Sequence, residues 1–227
     1  FKIGEEPIII VMAGDAKVDN SRYKAQFHTK AKMLTFEEAH TMIGHDPGGV
    51  CSFALPENVK TYLDVSLKLE QELTDRGYIV VLTRRDNDTA ISNKERAEYA
   101  AEQGAEICVR IHANGADSAA SGALTISPSS ANPYVASLYE QSNLLSQCVL
   151  DSYCQATGFD NRGVTYADNM TGINWSTIPV TILEMGFMTN EHDDLQMSDP
   201  DFQDTMVTGI ADGIDSYFES VGKDVEN

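Results

Sequence analysis

Basic residues are scarce in this chain: 16 Lys and Arg stand against 35 Asp and Glu, a formal charge of −19 over 227 residues. Binding to nucleic acid draws on clustered Lys and Arg that neutralise phosphates, so no nucleic-acid partner is expected. Cysteine is equally sparse. The four thiols, Cys51, Cys108, Cys148 and Cys154, include no CxxC pair, which removes the zinc-ribbon and thioredoxin-type motifs. Cys148 and Cys154 share one helical stretch and lie about 9 Å apart along its axis, beyond the reach of a disulfide. Long apolar runs are missing too, so no membrane span is expected. Neither HExxH, GxxxxGK[ST] nor a strand-linked GxGxxG occurs, which disfavours a metalloprotease, a P-loop protein and a dinucleotide-binding protein. No export signal is visible, and in a chain that opens on Phe1 this is silent about compartment.

What remains describes one globular domain. Hydrophobic residues make up 42% of the chain, charged residues 22%, and there are only 7 prolines. A chain of this length buries a sizeable core. We expect a single domain over residues 7–218, with 1–6 and 219–227 as flexible termini.

Apolar runs alternate with helical patterns. Ile8–Met12 is a β-branched run closed by Ala13-Gly14, the pattern of a buried first strand with a loop beyond it. Residues 16–54 form a long polar excursion, longer than a plain connection needs, and read as a site-lining loop with a helical portion over Thr35–Met42. From Pro56 to Arg76, Val59, Leu63, Leu67 and Leu73 recur at helical spacing, with Pro just inside the start and Gly77 past the end. Tyr78–Thr83 reads as a strand. Ser92-Asn93-Lys94-Glu95 has the form of a capping box opening a helix to about Gln103. Strands are expected at 107–114 and 123–127, a long helix over 133–157 ended by Gly158, a Gly/Asn-rich loop, a strand at 180–187, and a closing helix over 200–218. This order indicates an α/β fold: a mainly parallel twisted sheet flanked by helices.

Three residues could carry chemistry. His112 closes the strand Ile107-Cys108-Val109-Arg110-Ile111-His112-Ala113-Asn114, and an imidazole at a strand end is a natural metal ligand. Glu184 is the single carboxylate in the apolar run Val180–Phe187, where an ionised group is costly unless paired or metal-bound. Glu57 lies in the first turn of its helix, where the helix dipole alone would favour it. One His and two Glu on separate elements would supply metal ligands and a general base, the minimum for hydrolysing an amide.

At this point the chain resembles a known family. Ile9–Asp15, Leu55-Pro56-Glu57, Val80-Val81-Leu82-Thr83-Arg84, Glu95-Arg96-Ala97, Ile111-His112-Ala113-Asn114, Asn161-Arg162-Gly163-Val164 and Leu183-Glu184-Met185-Gly186-Phe187-Met188-Thr189-Asn190 follow in the order seen in zinc-dependent N-acetylmuramoyl-L-alanine amidases of the amidase-3 type. The resemblance implies Zn²⁺ as cofactor, Glu57 and His112 as ligands, Glu184 as the catalytic residue, and peptidoglycan as substrate, handled outside the cell or in its wall; the sequence leaves the oligomeric state open, with a monomer as the expectation. Asn114 and Arg162 are carried over as substrate-binding candidates. The family's first ligand is a His where this chain has Asp15, so Asp15 takes the third metal position, with His45 in the following loop as a possible substitute. Two functions stay open: a zinc amidase cleaving the bond between N-acetylmuramic acid and L-alanine, or a noncatalytic peptidoglycan-binding member of the same family.

Overall fold

The computed structural model describes residues 2–3, 6–7, 24, 56–86, 89 and 91–223, with backbone alone for 2–3, 6–7 and 56–64. Asp15, His45, the side chain of Glu57, the expected strand at 8–12 and the expected helix at 35–42 lie outside the described residues. The chain divides into two compact units, residues 1–60 and 61–227.

In the first unit, β1 (Lys2–Ile3) pairs antiparallel with β2 (Glu6–Pro7), Lys2 opposite Pro7 and Ile3 opposite Glu6. The first long helix, α1, spans Pro56–Asp75 and so begins on the proline that the sequence places at its start.

The second unit is built on a four-stranded sheet. Its strands are β3 (Cys108–Asn114), β4 (Ala123–Ser127), β5 (Asn161–Tyr166) and β6 (Val180–Phe187), in the spatial order β3-β6-β4-β5. The β3–β6 and β4–β5 pairs are parallel and the β4–β6 pair is antiparallel, so the sheet is mainly parallel. Helices α2 (Asn93–Glu102), α3 (Tyr139–Thr157), α4 (Thr171–Asn174), α5 (Glu191–Ser198) and α6 (Pro200–Ser220) complete it, with a 3-10 turn at Ala136–Leu138 leading into α3.

Every residue of β6 is buried, as a largely apolar run broken only by Thr181 and Glu184 suits in a central strand covered on both faces. Leu183 and Met185 pack in one cluster with Leu145, Val149 and Tyr153 of α3 and Met206, Ile210 and Ile214 of α6. Val180 and Ile182 belong to a second cluster with Ile126, Val135 and Ile173. Helices α3 and α6 touch closely because α6 offers glycines at the contact. A Cβ on Gly213 would lie 2.5 Å from Val149 Cα, and one on Gly209 would lie 2.9 Å from Tyr153 Cα.

The helix ends follow their local sequence. Ser92 accepts from the Glu95 backbone N–H while the Glu95 carboxylate accepts from Ser92 N–H, which completes the capping box of α2. Gly158 ends α3 at φ 75°, a conformation that costs glycine nothing. At the end of α1, Arg76 pairs with Glu72, Asp212 and Asp215, and Tyr78 donates to Asp215 at 2.6 Å, tying that end to α6.

Five expectations need correction. Tyr78–Thr83 is not a strand: it has no strand pairing among the described residues, and Ile79 is 97% exposed. Residues 161–166, read as loop, form the edge strand β5. The long helix begins at Tyr139 rather than near Pro133, because the Asn132 side chain accepts from Tyr134 and Val135 N–H and holds a turn there. Helices α4 and α5 were not foreseen. The closing helix also runs on to Ser220, two residues beyond the expected domain edge.

Candidate active site

Strands β3 and β6 run parallel with Arg110 opposite Ile182 and His112 opposite Glu184. Directly opposite residues on neighbouring strands project from the same face, and strand axes lie about 4.8 Å apart, so the imidazole and the carboxylate stand side by side. Leu124 of β4 flanks Glu184 on its other side. Beyond this point Asn114 pairs with Phe187, so β6 carries one extra residue between the two pairs. Such bulges re-aim side chains and cluster beside functional sites.

The surroundings of the pair are apolar on one side and cationic on the other. Burial pushes the Glu184 carboxyl up to about 7, and Oε2 has no hydrogen-bond partner among the described residues. His112 moves the other way, down to about 4, first through burial and then through the charges of Arg110, Arg96 and Arg84. Its imidazole is therefore neutral at pH 7 and keeps a lone pair, the form that ligates a metal.

Arg110 lies two residues before His112 on the same face of β3 and is 8% exposed. Its Nη2 donates to Asn93 Oδ1 at 2.6 Å, at the start of α2. Its Nε and Nη1 find no partner among the described residues. Arg96, one turn further along α2, donates from Nε to the Ile91 carbonyl at 3.1 Å. Burial, with Arg84 and Arg110 nearby, lowers the Arg96 guanidinium to about 10.

Of the described donors, the neutral His112 imidazole is of the kind that ligates a divalent ion, and the unpartnered Glu184 carboxylate opposite it is of the kind that exchanges a proton with water. Among the described residues no three His, Cys, Asp or Glu side chains gather to hold an ion. Any further ligand would come from outside them, where Asp15 and the Glu57 side chain belong.

The two substrate-binding candidates are engaged locally. Asn114 Oδ1 accepts from Gly115 N–H at 2.8 Å, and its carbonyl accepts from Met188 N–H at 3.0 Å, joining the ends of β3 and β6. Arg162 lies on β5, two strands away from β6. It donates to the Ser121 carbonyl at 3.0 Å and stacks 5.2 Å over the Phe187 ring. The structure thus brings His112 and Glu184 onto facing positions, holds Asn114 at the end of β3, and places Arg162 against Phe187 at that same end of the sheet.

Arg110 and Asp193 were missed as contributors. An arginine two residues before His112 in a buried strand was a readable signal, since the period of two puts both on one face. Asp193 is 1% exposed, and its Oδ2 accepts from Gly122 N–H at 2.9 Å and Phe187 N–H at 3.0 Å. It fixes the end of the strand that carries Glu184.

Known proteins are similar to this chain in sequence and fold. A family model described as N-acetylmuramoyl-L-alanine amidase matches residues 39–216. Over 175 residues the chain is 29% identical to N-acetylmuramoyl-L-alanine amidase LytC of Bacillus subtilis (strain 168), a match covering 76% of this chain and 33% of LytC. Over 65 residues it is 49% identical to the YwhH protein of the same organism, covering 29% of this chain and 41% of that one. The chain therefore spans less than half the length of either relative. Among solved structures it is similar to the catalytic domain of CwlV, an N-acetylmuramoyl-L-alanine amidase from Bacillus (Paenibacillus) polymyxa var. colistinus. That match has a TM-score of 0.62 at 33% identity and covers 70% of this chain and 84% of that one.

Proposed function

Because the chain belongs to the N-acetylmuramoyl-L-alanine amidase family, we propose that it hydrolyses the amide joining the lactyl group of N-acetylmuramic acid to L-alanine in bacterial peptidoglycan. It would act in the cell wall or outside the cell. The observation that carries this reading is the desolvated Glu184 carboxylate standing opposite the neutral His112 imidazole.

His112 would hold a zinc ion together with Glu57 and Asp15. When bound, zinc supplies Lewis-acid polarisation of the scissile carbonyl. Glu184 is the general base and acid. A carboxyl held near 7 by burial is a stronger base toward the attacking water than an ordinary carboxylate and is still acid enough to return the proton to the alanine nitrogen. The apolar flank from Leu124 and Ile182 keeps bulk water from levelling that pKa. Asn114 and Arg162 would bound the substrate groove at the strand ends.

The reading is tested by incubating a defined muramoyl-peptide with the zinc-loaded chain and with its Glu184→Gln variant, and following release of free peptide.

A further inference from the structure

Tyr134, Tyr166 and Trp175 are 71%, 47% and 43% exposed, and all three stand around one hydrogen-bonded hub. There the Asp168 carboxylate accepts from Ser129 N–H at 3.0 Å, Ser129 Oγ at 2.6 Å and Asn132 Nδ2 at 2.9 Å. Asn132 Nδ2 also donates to Asn174 Oδ1 at 3.0 Å. Tyr134 follows Asn132 by two residues and donates its N–H to the Asn132 side chain, Tyr166 precedes Asp168 by two, and Trp175 follows Asn174 directly. Tyr139 extends the surface, its ring 5.9 Å from that of Tyr166, whose hydroxyl donates to Asn143 Oδ1 at 2.8 Å.

The surroundings are neutral in a chain of charge −19. Residues 123–139 and 169–183 contain no charged side chain, and Asp168, the single charge within 163–183, is spent on the hub. Tyrosine and tryptophan join an apolar ring face to a polar edge, and exposed apolar surface rimmed by polar groups marks a binding surface. A pyranose has the same two-sided character, with C–H groups on its faces and hydroxyls around its rim. A neutral sugar polymer therefore matches both the rings and the charge, whereas an ionic partner would meet no counter-charge in these stretches.

We propose that Tyr134, Tyr166 and Trp175 form a saccharide-binding platform that holds a glycan strand of peptidoglycan away from the bond being cut. The choice of this glycan rests on the amidase reading, and its backbone is uncharged wherever the lactyl groups remain amide-linked. The sheet sets the separation. Leu124 of β4 pairs with Glu184, and three residues on, Ser127 pairs with Tyr166 of β5. That is about 10 Å along the sheet. Because β4 runs antiparallel to β6, its end at Ser127 lies opposite the end of the sheet that carries Asn114 and Phe187. A strand seated on the platform touches neither His112 nor Glu184, and keeps the chain on the polymer between cuts.

Trp175 is the only tryptophan of the chain, so its fluorescence reports on the platform directly. The probe is chitohexaose, a neutral oligomer of N-acetylglucosamine with no lactyl amide to cut, titrated into the full chain. A saturable change in Trp175 emission is expected. Tyr134→Ala and Tyr166→Ala should each weaken binding about tenfold. Tyr134 is exposed and enters the hub through its backbone N–H alone, so Tyr134→Ala should melt as the parent does. That variant should also release peptide more slowly than the parent from insoluble peptidoglycan, at an unchanged rate on a soluble muramoyl-peptide. An unresponsive Trp175, or calorimetric binding that survives both Tyr134→Ala and Trp175→Ala, would overturn the platform. So would a Trp175 response to phosphatidylcholine vesicles in place of the sugar, or self-association in sedimentation that Tyr134→Ala abolishes. Cleavage of the muramoyl-peptide without chitohexaose binding removes the platform and leaves the amidase reading, whereas binding without cleavage does the reverse.

Discussion

His112 and Glu184 face each other across the parallel strands β3 and β6, and burial moves their protonation in opposite senses, the imidazole down to about 4 and the carboxyl up to about 7. Both groups are thereby biased toward their neutral forms. At pH 7 Glu184 is thus divided between carboxylate and carboxylic acid, so one group can both take up a proton and give it back.

The paired shifts set a pH signature for the metal-free chain. For His112, ordinary value 6.5 and folded value about 4, the stabilising contribution is full above 6.5 and lost as pH falls through 4. For Glu184, ordinary value 4.5 and folded value about 7, the contribution is full below 4.5 and lost as pH rises through 7. The two slopes oppose one another in the overlap, so the parent's stability should be nearly flat there. Glu184→Gln should unmask the His112 slope, with stability rising by up to about 3 kcal/mol as pH increases across that window. His112→Gln should unmask a fall of similar size. Urea unfolding at stepped pH reads both, and two variants that track the parent would count against the burial of this pair.

Asp193 gives the strand of Glu184 its fixed end. Asp193→Ala leaves the N–H groups of Gly122 and Phe187 buried without their acceptor and should cost about 2–4 kcal/mol in chemical denaturation. Asp193→Asn keeps an acceptor oxygen and should cost less. Equal costs would mean that the charge, rather than the two hydrogen bonds, holds this end.

Gly213→Ala raises helix propensity, yet its methyl would sit 2.5 Å from Val149 Cα and 2.7 Å from the Cys148 carbonyl. Backbone cannot move aside as a side-chain tip can, so α3 and α6 must separate. The expected loss is about 1–3 kcal/mol despite the better propensity. A stabilised Gly213→Ala would contradict the close approach of the two helices.

Metal content separates the ligand assignments. The parent should bind about one zinc per chain, and His112→Ala should bind markedly less after equilibrium dialysis. In the proposed ligand set Asp15 would add a second carboxylate, which would neutralise the ion further and make it a weaker activator of water. Asp15→His should therefore move the rising limb of the pH–kcat profile to lower pH. An unmoved limb would remove Asp15 from the ligand set.

The elements that seat the pair were the most legible in the sequence, and physical reasons divide them from those that were not. The run Val180–Phe187 announces a strand buried on both faces, and Ser92 with Glu95 announces the start of a helix, because in each case the signal is local. Strand β5 hides because Asn161, Arg162, Thr165 and Tyr166 are exposed on an edge and Gly163 sits at φ 83°, so its pairing with β4 decides its shape more than its own pattern does. Tyr78–Thr83 misleads in the opposite sense: its β-branched residues suit a strand, but the Tyr78 hydroxyl bonded to Asp215 ties it to α6. Helix α5 is acidic in its first turn and buries only Asp193 and Met197, so it lacks an apolar stripe. The Asn190 side chain capping His192 and Asp193 N–H was its readable mark. In the site, the residue types of His112 and Glu184 were legible, whereas their direct opposition depends on strand register, which no single strand encodes. The guanidiniums beside His112 belong to three separate stretches, and only the fold gathers them.

The central claim, that Glu184 and His112 serve amide hydrolysis, is tested most directly by mass spectrometry of a purified muramoyl-pentapeptide after incubation with the zinc-loaded chain. The account predicts release of free pentapeptide by the parent and a loss of at least about a hundredfold in rate for Glu184→Gln, with the variant still folded. No release by a parent shown to carry zinc would contradict it and leave a peptidoglycan-binding chain that does not cut.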